Sequence, residues 1–190
     1  MMVRTDLDIL NDMIMDSAKV DLESEYGPNK ASVTLKEPQS PTSKVEIIGL
    51  PHTAIVIKAD AFKSPDTILT EARGQRKRSD YIIVVNKNDK KNILYIEMKT
   101  ANSGSEKDII NQLKGSVCFV AYCKEIAKEF WHEKDFLSEF ESRFVSITHT
   151  KISINIKPTR NKKHNPNNTP ERMMKLAGQR KRQFNELVGA

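Results

Sequence analysis

The chain has 190 residues, 38% hydrophobic and 29% charged, enough for one domain with a real core and polar appendages. Its charge of +6 is uneven: from Lys157 onward nine Lys and Arg face two Glu, a net of +7, leaving −1 for residues 1–156. The longest apolar runs, 81–85 and 117–122, are too short for a membrane span, and the N-terminus lacks the apolar core of a signal peptide.

Residues 6–20 carry Leu7, Leu10, Met13, Ile14 and Ala18 at helical spacing, which predicts an amphipathic helix. Pro28, Pro38 and Pro41 among Ser, Thr and Lys predict a loop over 27–43, with room for a short strand at 32–35. Residues 45–50 and 53–59 read as two strands split by Pro51-His52, together a hairpin. Ser64-Pro65-Asp66 is a helix start, and the pattern predicts a short helix over 67–74. The basic run Arg76-Lys77-Arg78 follows; it reads equally as a phosphate grip or as a solvated loop. Its pentapeptide, Gly-Gln-Arg-Lys-Arg, recurs at 178–182.

Residues 79–100 organise the rest. Two β-branched runs, 81–85 and 93–98, flank a polar loop at 86–92 and predict a hairpin. Asp80 opens the first strand, and Glu97 and Lys99 share one face of the second, with Ile93 and Tyr95. Pairing Val84 with Ile93 and Val85 with Asn92 sets Asp80 opposite Glu97, where Cβ atoms lie roughly 4.5–5.5 Å apart. Two carboxylates so close repel, and a hard cation such as Mg²⁺ removes the repulsion. Lys99 is then placed to orient or activate a metal-bound water. A solvent-facing Glu97–Lys99 ion pair of no consequence is the competing reading.

Ser105 with Asp108 predicts a helix N-terminus, and the helix runs to about residue 130 on a stripe of Ile109, Leu113, Val117, Val120 and Ala121. Residues 131–140 continue helically or turn once. Residues 143–149 and 151–156 alternate as strands, the first parallel to the Glu97 strand after the helical crossover. Residues 158–170 read as a flexible linker, and 169–187 as a basic amphipathic helix bearing Met173, Ala177 and Phe184. The expected organisation is a domain over 1–156 and a basic extension over 157–190. Deleting the extension from Pro158 is expected to weaken phosphate binding and leave the site intact. Cys118 and Cys123, five apart on one helix, cannot bridge and fit free thiols in a reducing cytoplasm.

An Asp opening one strand, Glu-x-Lys on the next and a helix after it resemble the PD-(D/E)XK nucleases, the restriction-endonuclease-like superfamily. The resemblance covers 45–154, and its Pro-Asp is here Ser79-Asp80. It implies an α/β fold, a mixed central sheet flanked by helices in the order αβββαβ. It also implies Mg²⁺ or Mn²⁺ held by Asp80, Glu97 and the Met98 carbonyl, with Lys99 as the catalytic cation and Gln112 pointing back from the helix. Glu71 is the preferred outer acidic residue, with Glu23 and Glu25 as alternatives. The implied activity is phosphodiester hydrolysis, in DNA ahead of RNA, by a protein whose active form is commonly a homodimer. Arg76, Lys77 and Arg78, with Arg180, Lys181 and Arg182, would grip phosphates. A catalytically inactive nucleic-acid-binding or assembly module on the same fold is the alternative.

Overall fold

The computed structural model describes residues 4–24, 30–37, 40–63, 66–87, 90–100, 104–149, 167–177 and 180–189. In chain order these form α1 (Asp6–Met13), β1 (Ala31–Glu37), β2 (Ser40–Leu50), β3 (Ile55–Lys58), β4 (Tyr81–Lys87) and β5 (Lys90–Thr100). There follow α2 (Glu106–Ile126), β6 (Glu141–His149), β7 (Met174–Ala177), β8 (Lys181–Gln183) and α3 (Phe184–Leu187). The class is mixed α/β, with two mixed sheets.

The larger sheet has the order β3-β4-β5-β6-β7: β3, β4 and β5 are antiparallel, and β6 and β7 run parallel to β5. Strand alternation gives it two apolar faces. Ile82, Val84, Ile93 and Tyr95 pack with Ile9 and Leu10 of α1 and Leu113, Phe119 and Val120 of α2. Ile83, Val85, Leu94, Ile96 and Met98 pack instead on Val33, Leu35, Val45 and Ile47 of the smaller sheet, order β1-β2-β8, and on Phe184 and Leu187 of α3. The larger sheet is therefore a middle layer, buried on both faces.

Several sequence expectations are corrected. Helix α1 stops at Met13, not near residue 20, because Val20 N–H donates to Val56 O at 2.9 Å and Lys19 bridges Ile57, covering the edge of β3. The expected 27–43 loop contains all of β1 and the start of β2, which pair as an antiparallel hairpin. Residues 45–50 and 53–59 are no hairpin: β2 and β3 lie in different sheets, each satisfied by another partner. Residues 67–74 make turns rather than a helix. Their apolar members, Ile68 (81% exposed) and Leu69 (41%), find no surface to pack on, and a short helix does not stand without one.

Helix α2 starts at Ser105 with the expected capping box with Asp108 and continues as a π-helical turn to Trp131. Its buried face is Leu113, Gly115, Ser116, Phe119, Val120 and Cys123; Val117 and Ala121 are exposed. The face is turned because Phe62, Lys77 and Ser79 lie against the helix: the Phe62 ring sits tilted at 5.0 Å from Phe119, the Lys77 carbonyl lies on Gly115, and Ser79 bonds Ser116. Strand β6 pairs in parallel with β5 as expected.

The basic C-terminal helix does not form. Residues 170–172 make a 3-10 turn, β7 joins β6, β8 joins β2, and among the described residues of this segment only Phe184–Leu187 is α-helical. A parallel partner makes the two-residue period prevail: Met174 and Leu176 pack on one face of the sheet while Met173 enters the core on the other. Asn167, within the expected linker, is buried and donates to Phe144 O (3.1 Å) and Leu187 O (3.0 Å). The strand expected at 151–156 lies outside the described residues.

Candidate active site

The β4–β5 register is the one the sequence predicts: Val84 faces Ile93, Val85 faces Asn92 and Tyr81 faces Ile96, which sets residue 80 beside residue 97. Asp80 stands just before β4 and is held twice. Its Oδ2 accepts the Met98 N–H at 2.7 Å, and its carbonyl accepts the Ala59 N–H at 2.8 Å. Glu97 is wholly buried, 0% exposed, between Asp80 on one side and Ser146 of β6 on the other. Lys99 Nζ lies 2.6 Å from Glu97 Oε1. Glu97 Oε2 completes no hydrogen bond of good geometry among the described residues, although the Asp80 backbone N–H lies near enough to favour the carboxylate weakly. Behind Lys99 is Gly104, at φ +79°, where a Cβ would sit 3.5 Å from Lys99 Cε.

A third acid reaches the site that the sequence did not reveal. Glu37, at the end of β1, is buried, and its charge bears on Asp80, Glu97 and Lys99 alike. The Tyr81 hydroxyl brings it there, donating to Lys36 O at 2.6 Å and accepting from Lys36 N at 3.1 Å. That clamp ties the end of β1 to the start of β4.

Burial, then the neighbouring Glu97, then Glu37 push the Asp80 pKa well above the ordinary carboxylate range, against the Met98 N–H and Lys99. Burial likewise raises Glu97, and Lys99 only partly offsets it. For Lys99, burial works against the ammonium, but Glu97, Asp80 and Glu37 outweigh it and hold the pKa above its usual value. A buried carboxylate oxygen without a donor is costly unless a proton or a cation meets it. The donor set, two carboxylate side chains and the Met98 carbonyl with a lysine beside them, suits a hard divalent ion. Among the described residues no group of three or more His, Cys, Asp or Glu is spaced to share one ion.

The other sequence-selected residues are placed as follows. Glu71 is on the surface in an ion pair with Arg76 at 2.6 Å, and the acid that bears on Asp80 and Glu97 is Glu37 instead. Glu23 is exposed, its backbone paired with Ser32; Glu25 lies outside the described residues. Lys77 pairs with Asp108 at 2.7 Å, and Arg78 donates to Lys77 O and lies 5.2 Å over the Phe62 ring. The 76–78 run is thus partnered within the molecule. Gln112 is half-buried, one turn before Ser116 on α2, and its Oε1 is buried with no donor among the described residues. Arg180 is exposed, Lys181 pairs with Glu46 at 3.1 Å, and Arg182 is buried, bonded to Ala177 O and Glu186. Arg182 presents no charge to solvent.

The chain matches no protein-family model, no curated protein and no solved structure. Among the described residues no helix is long and apolar enough to cross a membrane.

Proposed function

We propose that this chain is a metal-dependent nuclease that hydrolyses phosphodiester bonds, in DNA ahead of RNA, on a restriction-endonuclease-like core. The observation that carries the reading is Glu97: fully buried, one oxygen on Lys99, the other without a hydrogen bond of good geometry among the described residues, beside Asp80 on the adjoining strand. The succession α1, β3, β4, β5, α2, β6 supports it, since it follows the αβββαβ order with the β1–β2 hairpin inserted after the first helix.

Asp80, Glu97 and the Met98 carbonyl would hold Mg²⁺ or Mn²⁺, and Glu37 would add negative charge from the second sheet. When bound, such an ion supplies a Lewis acid for the phosphate and lowers the pKa of its water. Lys99, kept cationic by three acids, orients the attacking water and stabilises charge that develops on the phosphate oxygens. Gln112 offers an acceptor from the helix side. Arg180 would contact flanking phosphates, whereas Arg76, Lys77 and Lys181 would first have to leave their acidic partners. A homodimer would place two such sites on one duplex, and the expected compartment is the cytoplasm.

The test is nicking of supercoiled plasmid in Mg²⁺ or Mn²⁺ by the wild type, Asp80→Asn and Lys99→Ala. Removing Lys99 should slow cleavage by at least about 10²-fold while DNA binding in Ca²⁺ stays near wild type. Cleavage that survives excess EDTA, or that Lys99→Ala leaves intact, overturns the reading. Binding without any cleavage by the wild type would point to an inactive DNA-binding module.

A further inference from the structure

We infer that Ser116 of α2 is a positioning residue for Asp80, acting through Ser79; its catalytic relevance rests on the nuclease reading above. The residue before Asp80 is buried completely, as is Ser116, both at 0% exposure. Ser79 N–H donates to Ser116 Oγ at 2.9 Å, and the two hydroxyls share a hydrogen bond at 2.7 Å. One helix side chain therefore satisfies both the backbone donor and the hydroxyl of the residue adjoining the site.

The neighbouring contacts show a seat built for this approach. Gly115 lies so close to the Lys77 carbonyl that a Cβ there would stand 1.7 Å from the oxygen. Two small residues in succession, Gly115 and Ser116, let the 77–79 backbone lie directly on the helix. From that seat Asp80 can reach the Met98 N–H at 2.7 Å with its carboxylate and the Ala59 N–H at 2.8 Å with its carbonyl. Removing Ser116 Oγ leaves a buried N–H and a buried hydroxyl without their partner. Such groups pull the backbone toward water or toward a substitute, and the carboxylate moves with it. Supporting groups one step behind a site set its geometry in this way.

The test uses the full ¹⁵N-labelled chain and two readouts: hydrogen exchange of the Met98 amide, which reports the Asp80 contact directly, and Mn²⁺ affinity by calorimetry. Val120→Ala, a core truncation further along the same helix, is the control for simple destabilisation. Ser116→Ala should speed Met98 exchange about tenfold beyond the control and weaken Mn²⁺ binding about 10–100-fold. Ser79→Ala, which keeps the N–H to Ser116 bond, should show a smaller change of the same kind. If Ser116→Ala does not fold, Ser79→Ala carries the test, and its Met98 exchange must still exceed that of the control. Met98 exchange no faster than in Val120→Ala at matched stability overturns the inference. A wild type that binds no Mn²⁺ overturns the metal reading instead, and Met98 alone then decides whether Ser116 positions Asp80.

Discussion

Asp80 and Glu97 hold protons more tightly in the folded chain than in the unfolded one, because burial and each other's charge, with Glu37 behind them, oppose ionisation. Between the ordinary carboxylate range of about 4 and the raised values, the folded state binds the more protons, so stability falls as pH rises. In EDTA the melting temperature should therefore decline from about pH 5 to about pH 8. Mn²⁺ should restore it at the alkaline end. Asp80→Asn should flatten the profile, and Glu37→Gln should make the decline shallower and end it at lower pH, because both neighbours then ionise more easily in the folded state. Lys99, with its pKa raised, contributes stability that is lost only above its ordinary value of about 10.4, outside this window. A melting temperature that climbs with pH in EDTA would contradict the site's electrostatics.

At the scale of elements, helix α2 and the segment before β4 act as one unit. The helix is capped by Ser105 and Asp108, and Asp108 also takes the Lys77 ammonium, which holds its carboxyl well below the usual range. Lys77 O on Gly115 and Ser79 on Ser116 continue the same seam toward Asp80. Gly115→Ala should force backbone and helix apart, since the new methyl would meet a carbonyl rather than a side chain able to swing away. The expected loss is at the upper end of about 1–3 kcal/mol for overpacking, read from thermal or urea melts. The proposed metal site should loosen with it. An unchanged melt would mean that the 77–79 seam carries no strain and little stability.

For the whole molecule, the C-terminal residues are part of the construction. Strand β7 extends the larger sheet, β8 extends the smaller one, and Phe184 and Leu187 fill the layer between them. Losing a buried Phe and a buried Leu costs about 3–5 and 2–5 kcal/mol when each is truncated to Ala. Against a total stability of about 5–15 kcal/mol, the margin is gone. Truncation before Pro158 should therefore abolish cooperative melting and near-UV dichroism, and the proposed cleavage with them. The expected loss of phosphate affinity alone is replaced by a loss of fold. A truncated chain that still melts cooperatively and cleaves would show the two sheets to be independent of this segment.

The amino-acid sequence by itself determined the β4–β5 hairpin, its register and the shared face of Glu97 and Lys99. These follow from alternation over neighbouring residues, and a slip by one position would turn every buried Ile, Val and Leu outward. It likewise determined the capped start of α2 and the parallel β6, because caps and crossovers are local or sterically constrained. Only the tertiary structure decided which charges are spent. Arg76, Lys77 and Arg182 are charge runs by sequence, yet Glu71, Asp108 and Glu186 neutralise them. It alone decided the third acid, since Glu37 arrives from another sheet through a Tyr81 contact 45 residues distant. It also decided the fate of 169–187, where Met173, Ala177 and Phe184 fit a helical stripe as readily as two strands. That ambiguity is resolved by a partner: β6 offers a free edge, and backbone pairing with it outweighs the modest preference of the isolated segment for a helix.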